Sequence, residues 1–198
     1  MPLKITVVGS RYFGAAVLDK LVALDVRVLQ VVAPAADDRL AQRAKALGIP
    51  TRVQHDPRHV PAAEIAPGTE LIVCAHTHAR IDADALALAR LGGIGYHPSL
   101  LPRHRGIAAV EWTIKCGDAI AGGSIYHLAE RMDAGAIAAQ DWCFVKPGES
   151  ARELWERALA PLGIRLLTEV VAHASATGSL PAQPQDEQFA TLAPRMGT

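Results

Sequence analysis

Aromatic side chains are scarce: Phe, Trp and Tyr occur three times each, 5% of 198 residues. Trp112, Trp142 and Trp155 stand far apart in the chain, so they suit core or interface area and make no stacking platform for nucleic-acid bases. An excess of one charge is missing as well. The 20 Lys and Arg balance 20 Asp and Glu, which leaves no basic footprint for a nucleic acid or an anionic membrane surface. No apolar run approaches the roughly 20 residues that span a bilayer. The start MPLKITVVGS lacks the basic segment, long apolar stretch and small-residue cleavage site of a secretory signal. These absences lead to the expectation of a cytoplasmic chain with a small-molecule ligand. The 3 cysteines, Cys74, Cys116 and Cys143, are odd in number and outside any CxxC pair. They predict buried, reduced thiols rather than a disulfide framework or a thiolate zinc site.

Half of the residues are apolar, and a chain of this length can bury one sizeable core. Residues 3–8 form a β-branched apolar run stopped by Gly9-Ser10, and Phe13, Val17, Leu21 and Leu24 then fall on one helical face. Residues 26–33 and 70–75 repeat the composition of buried strands, with a helix expected over 37–47 and another over 82–91. Strands alternating with helices imply βαβ units. The fold class predicted is therefore α/β and Rossmann-like, a mostly parallel sheet with helices on both faces. A helix over 107–115, strands over 123–128 and 136–145 joined by a short antiparallel connection, and a long helix over 150–173 complete it. Residues 1–178 form the expected domain, and 179–198, polar, Pro-containing and without periodicity, read as a surface tail.

The short segment Ile94-Gly95-Tyr96 delivers His97 to a strand end, where ligands bind in open α/β sheets. His97 begins the loop HPSLLPRHRG, stiffened by two prolines, and histidine titrates near neutral pH, as a general acid or base must. A histidine capping a turn reads equally well from this loop alone. Asp133, in RMDAG, fits an ordinary turn aspartate, or a carboxylate that orients a neighbouring imidazole if the fold brings the two together. Arg103, His104 and Arg105 suit an anion or a solvated loop. His76 and His78, as an HxH pair after a strand, would with His97 make a three-histidine site. No carboxylate at ligand spacing accompanies them, so no metal is expected.

HPSLLPRHRG resembles the His-Pro-Ser-Leu-Leu-Pro signature of the 10-formyltetrahydrofolate-dependent formyltransferases, and MDAGAIAAQ resembles their Asp-x-Gly signature, in the same order. VVGSRYFGAAVLDKLVAL is similar to the first strand, turn and helix of the methionyl-tRNA formyltransferase branch. PQDEQFATLAP is similar to the segment leading out of its catalytic domain. The resemblance implies a formyltransferase in which an acceptor amine attacks the formyl carbon and tetrahydrofolate leaves. His97 would manage protons and Asp133 would position it. His76, His78, Arg80, Ile81, Arg131 and Met132 would line the folate, and Ser10, Tyr12, Ser99, Arg103 and Arg105 would meet the acceptor.

Gly95 stands where the family carries an asparagine that donates to the developing oxyanion, and a glycine offers no side-chain donor. Removal of such a donor typically costs on the order of 10²–10³ in rate. Residues 9–13 lack the glycine- and asparagine-rich phosphate loop of the glycinamide ribonucleotide formyltransferases. The expected reaction is transfer of formyl from 10-formyltetrahydrofolate to a small-molecule amine. The alternatives are hydrolysis of formyl-folate or a related formylated substrate, and a folate-binding protein without turnover. The expected partners are the amine acceptor and a reduced folate, with no nucleic acid and no membrane; a homodimer is compatible with them.

Overall fold

The computed structural model describes residues 1–197, which divide into two compact units. The first comprises Met1–Gly95 with Thr168–Leu180, the second Tyr96–Leu167 with the described residues from Pro181 on.

In the first unit β1 (Leu3–Gly9) pairs in parallel with β2 (Val26–Ala33), which pairs in parallel with β3 (Thr51–Val53). On its other side β1 pairs in parallel with a later strand, Leu71–Ala75. Two short strands, β4 (His59–Val60) and β6 (Arg80–Ile81), make a separate parallel pair, so Leu71–Ala75 is β5. β7 (Gly93–His97) runs parallel to β5. All five residues of β5 are buried, which is why its sequence LIVCA is continuously apolar rather than alternating. Helix α1 (Arg11–Leu21) turns Phe13, Val17, Leu18 and Leu21 inward, the i, i+4, i+5, i+8 spacing of one helical face. Leu18, Leu21 and Leu40 are fully buried, each contributing about 1.5–3 kcal/mol. Helix α2 (Arg39–Ala46) is started by Asp38, whose carboxylate accepts from Leu40 N at 2.8 Å. Helix α3 (Ala83–Leu88) ends three residues before the expected stop, because Ala89 is already extended with ψ 119.

The second unit carries α4 (Ala109–Lys115) and the antiparallel hairpin of β8 (Ile120–His127) and β9 (Ile137–Phe144). The long helix opens as α5 (Ala151–Leu154) under a Ser150/Glu153 capping box, widens into a π turn at Trp155–Leu159 and continues as α6 (Ala160–Thr177). Val110, Ala121, Leu154 and Leu159 form its core cluster. Tyr96 is built into this packing. Its hydroxyl donates to the Leu159 carbonyl at 2.7 Å, and burial pushes its pKa up. A Cβ on Gly123 or Gly163 would come within 2.4 Å of its ring. Tyr96 thus fixes the strand end that delivers His97.

The strands are mostly parallel and the architecture is α/β, as the residue pattern predicts. Two expectations are corrected. Cys116 is exposed while Cys74 is buried, because Cys116 follows α4 on a polar turn. Trp142 is 51% exposed, because from Gln140 onward β9 alternates exposed and half-buried residues and Trp142 falls on the exposed side. The strands β3, β4 and β6, two or three residues long, carry too few residues for periodicity to show. Among the described residues no helix is long and apolar enough to cross a membrane.

Candidate active site

The end of β7 passes into a loop whose polar atoms are paired internally. Ser99 Oγ donates to Arg103 O at 2.6 Å, Ser124 Oγ donates to Ser99 O at 2.6 Å, and Gln140 Nε2 donates to Leu101 O at 2.8 Å. Ser99 is 2% exposed, so its hydroxyl shapes the loop from within. At the start of this loop His97 is 6% exposed, and its Nε2 lies 2.8 Å from the carbonyl of His104. A carbonyl only accepts, so this bond places the proton on Nε2 and leaves Nδ1 as the other, variable nitrogen. Nδ1 lies 3.6 Å from Asp133 Oδ2. The ring of Tyr126 closes one side edge-on, with centroids 6.4 Å apart.

Asp133 sits between β8 and β9 with φ 53, a left-handed conformation that non-glycine residues adopt at a cost. It is 6% exposed, and its Oδ2 also accepts from Gly106 N at 2.8 Å. The glycine of the Asp-x-Gly signature has a steric reason: a Cβ on Gly135 would sit 1.7 Å from the His127 carbonyl oxygen. Gly106 is constrained in the same way. Its φ is 123, and a Cβ there would sit 2.6 Å from the Ala193 carbonyl oxygen.

Around the pair are residues whose part in it sequence reasoning missed. His104, 4% exposed and left-handed at φ 58, pairs through Nε2 with Asp118 Oδ2 at 2.7 Å. Burial resists ionisation of Asp118, but the hydrogen bonds from Arg103 and His104 outweigh it and hold its carboxyl below the usual range. Arg103 reaches Asp118 through Nε at 3.1 Å and NH2 at 2.6 Å. Arg105 is held by Gln185 and Glu187. Both forks expected to meet an anion therefore already hold acceptors of the chain itself. Hydrogen bonds from Arg105 and then Arg131 bring Glu187 down to about 2. Met132 is exposed. His104 stood inside the motif loop and was legible only as part of a basic triplet. Asp118 carried no local signal, and Gln185 and Glu187 were legible only within the resemblance of PQDEQFATLAP.

The remaining candidates lie in the first unit. Ser10 Oγ donates to the His76 carbonyl at 2.7 Å, leaving α1 without a side-chain cap. His76 is left-handed at φ 61, and its ring lies 5.5 Å from that of His78. Burial, then the nearby His78 and Arg11, lower its pKa against the pull of Asp38, which favours neutral imidazole at neutral pH. Arg80 is exposed and Ile81 buried on β6. Tyr12 is 63% exposed and lines an open cleft of about 530 Å³ with Arg11, Asp37, Asp38 and Arg39. No group of three or more His, Cys, Asp or Glu able to hold a metal occurs among the described residues.

Residues 3–171 match the family model described as formyl transferase. Mouse mitochondrial 10-formyltetrahydrofolate dehydrogenase is 37% identical over 202 residues, covering 96% of this chain and 22% of that protein. The chain thus spans about a fifth of that relative's length. Methionyl-tRNA formyltransferase of Lactobacillus delbrueckii subsp. bulgaricus is 29% identical over 199 residues, covering 94% of this chain and 62% of that protein. An N-formyltransferase from Helicobacter canadensis, crystallised with folinic acid and dTDP-3-aminofucose, superposes with a TM-score of 0.76. At 13% identity over 98% of this chain and 71% of that one, it speaks for the fold alone. With the family model spanning both units and the two signatures meeting at His97 and Asp133, the chain belongs to the formyl transferase family.

Proposed function

We propose that this chain moves the formyl group of 10-formyltetrahydrofolate to a small nucleophile, with His97 and Asp133 as the reacting pair. The observation that carries the reading is the 3.6 Å approach of His97 Nδ1 to Asp133 Oδ2, both side chains buried. With Nε2 committed to the His104 carbonyl, Nδ1 is the nitrogen left to take a proton from an attacking acceptor. The carboxylate beside it stabilises the cation so formed and fixes the ring's orientation. The acceptor's nucleophile bonds to the formyl carbon and loses its proton toward Nδ1. The bond from that carbon to folate nitrogen then breaks, and the nitrogen leaves with a proton returned from His97. Met132 and Arg131 on one side of Asp133, and His76, His78, Arg80 and Ile81 in the first unit, are the residues assigned to folate. Ser10 and Tyr12, the latter lining the open cleft, are assigned to the acceptor, for which a small amine is the first choice; Ser99, Arg103 and Arg105 serve the loop itself.

In a second reading water is the acceptor and formate the product; the same oxyanion forms in both, so Gly95 bears on each alike. Two residues before His97 on β7, it provides no side-chain donor to an oxyanion. The similarity to proteins named for 10-formyltetrahydrofolate supports that molecule as donor under both readings. Incubation with 10-formyltetrahydrofolate, following tetrahydrofolate, formate and formyl-amine separately, decides between them. Formyl-amine appearing with tetrahydrofolate supports transfer, formate alone supports hydrolysis, and no tetrahydrofolate above the protein-free rate overturns both. Residues 1–178 are proposed as the domain that carries this reaction and 179–197 as a segment laid on its surface; Thr198, the last residue of the expected tail, lies outside the described residues.

A further inference from the structure

The segment after the long helix has no periodicity, yet it is fastened to both loops of the candidate site. Gln183 exchanges main-chain hydrogen bonds with Ile137 at 2.7 and 2.9 Å. Further on, Arg105 N donates to Thr191 O at 2.9 Å, Ala193 N donates to Arg105 O at 2.6 Å, and His104 N donates to Thr191 Oγ1 at 2.8 Å. Between these anchors lies Gln185. Its Nε2 donates to Asp133 O at 2.8 Å and to Gly135 O at 2.7 Å. Its Oε1 accepts from Arg105 Nε at 3.1 Å and NH2 at 2.6 Å. A carboxamide has two N–H donors and one oxygen with two lone pairs, and every one of these capacities is used.

We infer that Gln185 is a positioning residue that holds the His97–Asp133 pair in register; this rests on the catalytic reading of that pair. One side of the amide grips the two carbonyls that bracket Ala134, and so fixes the left-handed Asp133, which its own backbone preference would not hold. The other side grips Arg105, whose neighbours are His104, the acceptor of His97 Nε2, and Gly106, the donor to Asp133 Oδ2. One side chain thereby spans the loop that orients the histidine and the loop that carries the aspartate. Side-chain bonds of this kind, one step behind the reacting groups, typically change activity 10–100-fold when removed, roughly as for ligand-orienting groups in metal sites.

Gln185→Glu keeps the length and the acceptor for Arg105 but cannot donate to either carbonyl. Gln185→Met, uncharged and of similar length, removes the bonds on both sides without placing a carboxylate against carbonyl oxygens. In the full chain both variants should lower kcat for tetrahydrofolate release by about 10–100-fold, with KM for 10-formyltetrahydrofolate changed far less. The amide ¹H–¹⁵N signal of Gly106, which reports its bond to Asp133, should move in both. Trp112→Phe removes a different bond of the same segment, Trp112 Nε1 to Pro194 O at 2.8 Å, and should leave kcat and the Gly106 signal in place. Folded Gln185 variants with wild-type kcat and an unmoved Gly106 signal would overturn the inference. Asp133→Asn measured alongside separates the two levels. If it abolishes turnover while the folded Gln185 variants keep the wild-type kcat, the positioning role fails and the catalytic reading stands. If it leaves turnover unchanged, the catalytic reading fails, and with it the positioning role.

Discussion

His97 Nε2 is 2.8 Å from the main-chain carbonyl of His104, and that one bond settles which ring nitrogen faces Asp133. A neutral His97 is expected to carry its proton on Nε2. A long-range ¹H–¹⁵N spectrum at a pH where the ring is neutral reports this directly, with a protonated Nε2 and a bare Nδ1. The reverse tautomer would mean that the loop is closed differently from the arrangement described here.

Glu187 ties the segment after the long helix to Arg105 and Arg131 at 2.8 and 2.7 Å. These hydrogen bonds hold its carboxyl at about 2, below the ordinary 4.5, so the folded state favours the ionised form. Its stabilisation is complete above the ordinary value and is lost as pH falls through the folded one. Wild type should therefore melt above Glu187→Gln near neutral pH, and the gap should close between about pH 4.5 and 2. Because Glu187 is half exposed the gap is small, and high salt should narrow it. A gap that stays constant down to pH 2 would show that the carboxylate's charge is not what Arg105 and Arg131 respond to.

Gly135→Ala should disrupt the Asp133 turn, since the added carbon would lie 1.7 Å from the His127 carbonyl oxygen. Backbone must move to relieve the clash, at a cost of about 1–3 kcal/mol or more. Turnover should fall further than the loss of stability explains. Gly148→Ala is the comparison. That glycine has φ 75 and open space around it, so its alanine variant should cost about 1 kcal/mol of backbone strain and leave kcat unchanged. Equal turnover in the two variants would remove the steric account of the Asp-x-Gly signature.

Gly95→Asn tests the departure from the family pattern. If the glycine leaves a developing oxyanion one donor short, the asparagine should raise turnover, by at most about 10²–10³. Product analysis shows whether the gain goes to formate or to formyl-amine. A fall in turnover at unchanged Tm would mean instead that the asparagine collides with a group the site needs.

The parallel strands were legible because β5 is a continuous apolar run and β1 and β2 are rich in β-branched apolar residues, and α1 because Phe13, Val17 and Leu21 repeat at helical spacing. The loop from His97 and the turn at Asp133 were legible as motifs, and the family resemblance linked them. Their meeting was not, because the 35 residues between them carry no information on distance. His104 was hidden for a different reason: its contribution to His97 is a main-chain carbonyl, which no residue type announces. Gln185 and Glu187 were hidden in a segment without periodicity, whose order comes from side-chain bonds to distant loops rather than from a repeating apolar face. The exposure of Trp142 and Cys116 depends on which side of an edge strand or helix end faces outward, which composition does not encode.

The central claim is that His97 and Asp133 together move a formyl group off 10-formyltetrahydrofolate. Single-turnover release of tetrahydrofolate, measured for wild type, His97→Ala and Asp133→Asn at equal folded concentration, tests it most directly. Wild type should release tetrahydrofolate well above the protein-free rate, and each variant should lose on the order of 10²–10⁴ of that rate. The double variant should be little worse than either single one, since the two act as a unit. Release by folded His97→Ala at the wild-type rate would contradict the claim and leave the family membership as a statement about fold.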